Sequence, residues 1–327
     1  MKISVALASY NGEKYIREQL QTILNQTVPV DEIIISDDGS NDSTIEVVNA
    51  FRDPRIRVLT DNPNHGYCGN FEWAIKHTTG DIIFLVDQDD IWMENKVEKC
   101  VSVFQKYSEI DLVITDGVLI NKLGERIEGV FSKILKGFCG KIERSQYLLP
   151  TIWIAPANGM CMCFHKKLKE HILPFPSSTT CHDRWITFCA ICNNQAYYLN
   201  EELVKYRIHD TNTSMRGNIS FSKRWNRAFA AAYNEPINMV NMAIAMKEKL
   251  RDCGLENEES YQAALQLEKI HYRQIRAFKA FPLVGVFNLV KMYYEEKMYR
   301  VNGVKYLASQ VLLILFGRAY MKKHRRI

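Results

Sequence analysis

Three acids, Asp87, Asp89 and Asp90, fall within four positions, directly after the apolar run Ile82-Ile-Phe-Leu-Val86. Carboxylates this close repel one another unless a cation lies among them. An all-oxygen set suits Mg²⁺ or Mn²⁺ shared with phosphate oxygens. The same spacing also serves an acidic loop that caps a following helix, so the stretch alone leaves both readings open. Two more polar clusters follow apolar runs, Ala8-Ser-Tyr-Asn11 and Asp37-Asp-Gly-Ser40. Tyr10 offers a face on which a base can stack, and a carboxylate at Asp38 can accept the ring N–H of a pyrimidine. Asp37-Asp-Gly-Ser by itself reads equally as a turn with a helix cap. Taken together, the three clusters describe a nucleoside-diphosphate site with no Gly-rich phosphate loop, in which a cation neutralises the phosphates.

Such clusters do this chemistry only if something brings them together. Ile3-Leu7, Ile33-Ser36, Ile56-Leu59, Ile82-Val86 and Asp111-Thr115 read as strands. Between them lie helical periodicities: one after Asn11, read as its cap; then 43–51, 70–77 and 94–107. This alternation predicts a doubly wound, mostly parallel α/β sheet, whose strand ends share one edge. From about 120 to 210 short strands and loops dominate, with Gly159-Phe164 and Leu203-Ile208 as strands and a helix over 183–192. This reads as a second half, laid against the first, where a second substrate can bind. Beyond 220 the pattern is helical.

At 327 residues, 47% apolar and 24% charged, the composition is that of an ordinary globular protein. A net charge of +5 gives no sign of nucleic-acid binding by the whole surface. Nine cysteines without a regular framework predict reduced thiols rather than a disulfide scaffold. Cys161-x-Cys163 and Cys189-x-x-Cys192 have zinc-like spacing, but they fall in a strand-like run and a helix, which favours packing. The N-terminal apolar stretch is too short for a signal peptide, and no run approaches the ~20 apolar residues of a membrane span. The expected location is the cytoplasm.

The blocks Ser4-Val-Ala-Leu-Ala-Ser-Tyr-Asn-Gly12, Ile35-Ser-Asp-Asp-Gly-Ser40, Gly66-Tyr-Cys-Gly-Asn-Phe-Glu-Trp73 and Gly80-Asp-Ile-Ile-Phe-Leu-Val-Asp-Gln-Asp-Asp-Ile-Trp92 together resemble glycosyltransferase family 2. Within it, the Asn-Phe-Glu-Trp and Asp-Gln-Asp-Asp-Ile-Trp wording is most similar to rhamnosyltransferase-like members. The resemblance covers about residues 3–215. It implies a GT-A fold with nucleotide-binding (1–117) and acceptor-binding (118–218) halves, and inverting transfer of a sugar from a nucleotide-sugar. Carried over by position, Ala8, Tyr10, Asp38 and Asn70 would bind the donor. Asp87 would lie near the ribose, and Asp89 of the D-x-D motif would ligate Mn²⁺ or Mg²⁺. The base that deprotonates the acceptor would be Asp183 in Cys181-His-Asp-Arg-Trp185, where many members carry Glu-Asp in place of His182-Asp183. Asp183 on its own also reads as a first-turn helix acid. Arg207-Ile-His209 resembles the segment whose His completes the metal shell or touches the diphosphate, with His65 and His182 as weaker candidates. Trp153, Asn158 and Gly159 fall where such enzymes build the acceptor pocket.

Residues 219–327 form the expected C-terminal helical region. From Arg273 onward it carries twelve Lys/Arg against Glu295 and Glu296, with Phe287, Leu289, Val290, Tyr293 and Tyr294 and later Tyr306, Leu307, Val311, Leu312, Leu315 and Phe316 as apolar positions. A basic amphipathic segment of this kind suits peripheral contact with an anionic membrane, at the inner face of the cell membrane. Packing on the core or on a second copy in a homodimer is the other reading.

The expectation is a metal-dependent inverting glycosyltransferase of bacterial surface polysaccharide synthesis. It would take a UDP- or dTDP-sugar and a glycan or lipid-linked acceptor. A nucleotidyltransferase would want a Gly-rich basic loop where this chain has Ala8-Ser-Tyr-Asn-Gly-Glu13. A non-catalytic sugar-nucleotide-binding subunit would not need Asp38, Asp89 and Asp183 together.

Overall fold

The computed structural model describes residues 1–63, 66–129, 135, 138–153, 157–176, 179, 181–209, 212, 221–279, 282–295 and 311. The side chains of 150, 153, 221–236, 278, 279, 282 and 283 are outside that description. Two compact units emerge, Met1–Phe175 with Thr179–Gly217, and Pro176–Ser178 with Asn218–Ile327.

The first unit is built on one mixed sheet. Its strands are β1 (Ile3–Ser9), β2 (Glu32–Asp37), β3 (Ile56–Leu59), β4 (Ile82–Asp87), β5 (Ile91–Trp92), β6 (Leu112–Ile120), β7 (Gly140–Lys141), β8 (Met162–His165) and β9 (Ala196–Arg207). The helices are α1 (Ile16–Leu24), α2 (Thr44–Asn49), α3 (Tyr67–His77), α4 (Lys96–Lys106), α5 (Arg144–Trp153), α6 (Lys166–Ile172) and α7 (His182–Cys192). In β4, Ile82 to Val86 are buried without interruption, as expected of a strand covered on both faces. Its parallel neighbour β1 is likewise apolar from Val5 to Leu7.

Strand order runs β3-β2-β1-β4-β8-β6-β9-β5, with β7 on β9. The first four strands are mutually parallel, and β8 is antiparallel to both β4 and β6. Because β1 lies between β2 and β4, successive connections leave it in opposite directions. The crevice beyond the carboxyl ends of β1 and β4 is thus a topological switch point, the usual ligand position in open α/β sheets. Register places the polar strand ends level, with Ala8 beside both Ser36 and Asp87, and Ser9 beside Asp37.

Two expected elements differ. Asn11 does not cap α1; it adopts a positive φ of 49°, and the helix begins at Ile16 behind Tyr15. The expected strand Gly159-Phe164 begins as a 3₁₀ turn over Gly159–Cys161, and only Met162–His165 pairs.

The second unit contains α8 (Phe221–Asp252), α9 (Glu259–Lys279) and α10 (Pro282–Glu295). Ala243, Met246 and Leu250 of α8, Ala264, Leu267 and Ile270 of α9, and Leu289, Met292 and Tyr293 of α10 are buried. Lys247 pairs with Glu268 between the first two helices. Phe287 and Tyr294 are exposed, while Tyr306, Leu307, Leu312, Leu315, Phe316 and the basic terminus lie outside the described residues.

Candidate active site

The β1–α1 loop is held from both sides. Tyr10 donates its N–H to Gln88 Oε1 at 2.9 Å, and Gln88 Nε2 donates back to the Tyr10 carbonyl at 2.9 Å. On the other side, Asn11 N–H meets Ser40 Oγ (2.8 Å), Gly12 N–H meets Thr44 Oγ1 (2.7 Å), and Asn11 Oδ1 accepts from Asn41 N–H (2.9 Å). These partners hold Asn11 in a left-handed conformation that asparagine tolerates better than most residues. The Tyr10 side chain is left 54% exposed. Ala8, half-buried, lies beneath this loop at the end of β1.

The paired acids Asp37 and Asp38 differ in kind. Asp37 is buried and accepts from Ser9 Oγ (2.7 Å), Ser40 N–H (2.7 Å) and Ser40 Oγ (2.6 Å), so it welds the two loops. Asp38 is half-buried, and its Oδ2 accepts the Gly66 N–H at 2.9 Å, ahead of α3. Asn70, expected at the donor, lies inside the fold. It is 2% exposed, gives its Nδ2 to the Ser9 carbonyl (3.0 Å) and accepts from Asn62 Nδ2 (3.3 Å), so it braces β1 from within.

Beyond β4 the three acids occupy different environments. Asp87 is half-buried, and its carboxyl is pushed up to about 7 by burial, with added repulsion from Asp89 and Asp183. Asp90 is fully buried, and its carboxyl is raised well above the ordinary range by burial and by its two acidic neighbours. It accepts the Arg207 N–H at 3.0 Å through Oδ1, while Oδ2 has no hydrogen-bond partner among the described residues. Asp89 accepts from or donates to His209 Nε2 at 2.7 Å. Arg207 Nε holds the Asp89 carbonyl at 2.9 Å, its Nη2 meets Glu18 at 2.5 Å, and its guanidinium lies over the Tyr15 ring. His209 packs on that same ring at 4.8 Å. The Arg207–Tyr15–Glu18 clamp escaped sequence reasoning because Glu18 and Arg207 are 189 positions apart.

The donor set fits a hard divalent cation. Two acids, Asp87 and Asp89, lie at one strand end, with an imidazole at hydrogen-bond distance from Asp89. Among the described residues no group of three or more His, Cys, Asp or Glu side chains forms a protein-only cage. Mg²⁺ and Mn²⁺ sites completed by phosphate oxygens need only one or two carboxylates.

Asp183 lies in the first turn of α7. Its Oδ1 accepts from Cys181 Sγ (2.6 Å) and from Arg184 N–H (2.8 Å), and its charge reaches Asp87. Burial, with Cys68, Cys181 and Asp183 adding to it, pushes up the phenol of Tyr67, at the start of α3. Tyr67 is 40% exposed beside this acid and was not singled out from sequence.

His182 is buried. Its ring is stacked on Phe71 at 4.2 Å and edge-on to Tyr67 at 5.6 Å, and neither nitrogen has a hydrogen-bond partner among the described residues. Burial lowers its pKa, and the stack on Phe71 with the edge contact to Tyr67 gives the ring a packing role.

Gly159, expected at the acceptor pocket, lies against this ring. It is buried, and a Cβ there would come within 2.4 Å of His182 Nε2. Asn158 is half-buried and accepts the Cys161 N–H through its backbone. Trp153 ends α5, but its side chain lies outside the described residues, as does His65.

Residues 4–156 match the sequence model described as Glycosyl transferase family 2. This part of the chain is a family 2 glycosyltransferase domain. A 144-residue stretch is 32% identical to UDP-Glc:alpha-D-GlcNAc-diphosphoundecaprenol beta-1,3-glucosyltransferase WfgD of Escherichia coli. It covers 42% of this chain and 56% of that protein, about half of the relative. The fold is that of GT-A glycosyltransferases. S. aureus TarS 1-349, solved in complex with UDP-GlcNAc, superposes with a TM-score of 0.58 at 18% identity, covering 93% of this chain and 92% of that one. A mannosyltransferase of Pyrobaculum calidifontis, solved with GDP-Man and Mn²⁺, gives 0.51 at 15% identity over 97% and 87%.

Proposed function

We propose that the protein is a metal-dependent inverting glycosyltransferase using a UDP- or dTDP-hexose. One observation carries the reading. The switch point of a family 2 domain gathers the aromatic Tyr10, the carboxylates Asp38, Asp87 and Asp89, and the field of Asp183, on one sheet edge. The donor base would stack on Tyr10, and the Asp38 carboxylate would read its ring N–H. Asp87 would face the ribose. Asp89 and His209 would hold Mn²⁺ or Mg²⁺, which would supply charge neutralisation of the departing diphosphate.

Asp183 would accept the acceptor hydroxyl's proton as that oxygen attacks the anomeric carbon and the bond to phosphate breaks. Two donors already fix its Oδ1, which leaves Oδ2 as the basic atom. The acceptor would bind on the side of Asn158 and Tyr67. WfgD acts on a diphosphoundecaprenol-linked sugar, and on that basis the acceptor proposed here is a lipid-diphosphate-linked glycan of surface polysaccharide synthesis. The relatives named above give no support to a rhamnosyl donor.

The test is transfer by the purified protein from a panel of UDP-, dTDP- and GDP-sugars to a synthetic polyprenyl-diphosphate GlcNAc, with Mn²⁺ and with chelator. Turnover from a pyrimidine donor that chelator abolishes supports the reading, and undiminished turnover in chelator would remove the cation.

No described helix is long and apolar enough to cross a membrane. Peripheral contact through the basic C-terminal region is proposed as the route to a lipid-linked acceptor. Val284, Phe287 and Tyr294 are exposed along one face of α10, with Lys291 among them.

A further inference from the structure

We infer that Gln88, the uncharged member of the Asp-Gln-Asp-Asp run, is a positioning residue that sets the base platform at Tyr10 in register with the cation-and-diphosphate loop at Asp87 and Asp89. The inference rests on the nucleotide-sugar reading above and deepens it.

Gln88 sits between the two acids assigned to ribose and cation, yet its side chain turns to the neighbouring strand end. It saturates both backbone polar groups of Tyr10, accepting the N–H and donating to the carbonyl at 2.9 Å each. A paired amide of this kind fixes distance and rotation together, whereas a single hydrogen bond would leave a hinge. It fits a slot floored by Gly12, where a Cβ would stand 2.2 Å from Oε1 and 2.6 Å from the amide carbon. A side chain of any size at position 12 would therefore expel the amide or force it to move.

Among the described residues, Tyr10 makes no other hydrogen bond toward the acids. Among the described residues, the loop's other bonds to side chains and backbone of the β2–α2 segment go to the opposite side, onto Ser40, Asn41, Asp42, Ser43 and Thr44. Tyr10 itself is 54% exposed. Register of the strands puts Ala8 beside Asp87, so the clasp joins two loops already adjacent and adds alignment rather than attachment. Losing it should leave the fold intact, because strand pairing and the Ser40–Thr44 side remain.

A nucleoside diphosphate spans both loops, with its base on Tyr10 and its phosphates at the acids. A ligand that touches only the acids does not need the clasp. Inorganic pyrophosphate is such a ligand, and the comparison separates alignment from simple structural support.

The experiment titrates UDP and pyrophosphate, each with Mn²⁺, into the full-length protein and its Gln88→Ala, Tyr10→Ala and doubly substituted forms. Base stacking is worth enough that Gln88→Ala and Tyr10→Ala should each weaken UDP about tenfold. The double variant should be no weaker than Tyr10→Ala, because both changes remove one effect. Pyrophosphate affinity and the thermal midpoint should not move. Gly12→Ala, which displaces the amide while keeping every Gln88 atom, should reproduce the loss on UDP.

Equal weakening of UDP and pyrophosphate in Gln88→Ala would overturn the inference, since it would show a damaged acid loop. Unchanged UDP affinity would overturn it too, with the nucleotide reading standing. Absence of UDP binding by the unsubstituted protein would overturn both.

Discussion

Asp87, Asp89, Asp90 and Asp183 are four carboxyls of one chemistry whose surroundings separate their roles. Asp90 is buried, its carboxyl is raised by that burial and by Asp89 and Asp87, and it spends Oδ1 on the Arg207 N–H. Asp90→Asn preserves that acceptor and the volume, and should retain most activity. Asp90→Ala leaves a buried N–H unsatisfied, costing about 1–3 kcal/mol in urea unfolding. Asp183→Asn keeps the shape but removes the proposed base, so kcat should fall by about 10²–10⁴ with UDP affinity unchanged. Full turnover in that variant would disqualify Asp183. The three-acid run was visible in the sequence, yet its division of labour was not. That depends on Arg207 and His209, more than a hundred residues away along the chain.

Among the elements, α3, α7 and the turn over Gly159–Cys161 form a second locked group. His182 fills the space between Phe71 and the glycine. Gly159→Ala should push that ring off Phe71, destabilise by about 1–3 kcal/mol as an overpacked site does, and disturb the neighbouring Asp183. Combined loss of stability and kcat, with UDP binding kept, is the expected pattern. Expression of a fully active, equally stable alanine variant would show that the ring has room. Strand and helix types were legible here because apolar runs and helical periods are local. Helix starts were less so. Asn11 has the composition of a cap, but Ser40, Asn41 and Thr44 engage it and its neighbour Gly12.

At the scale of the whole molecule, the nine-stranded sheet and every described site residue belong to the first unit. A fragment of residues 1–217 should therefore bind UDP with Mn²⁺ as tightly as the full chain, measured by calorimetry. The basic region beyond Arg273 should instead govern sedimentation with anionic vesicles. Full-length protein should pellet with them at low salt and be released as salt screens the attraction, while the fragment stays in the supernatant. Equal sedimentation of the two would assign membrane contact elsewhere.

The sequence alone determined the strand-and-helix alternation, the polar strand ends and the family resemblance, because each is written in residues close together along the chain. Tertiary structure decided which polar residues are tools and which are struts. Asn70 and Asp37 were placed inside as braces, Gln88 was revealed as a clasp, and Gly159 became the space beside a buried ring. Burial and hydrogen-bond partnership are properties of pairs distant in sequence. No local pattern of residue types encodes them.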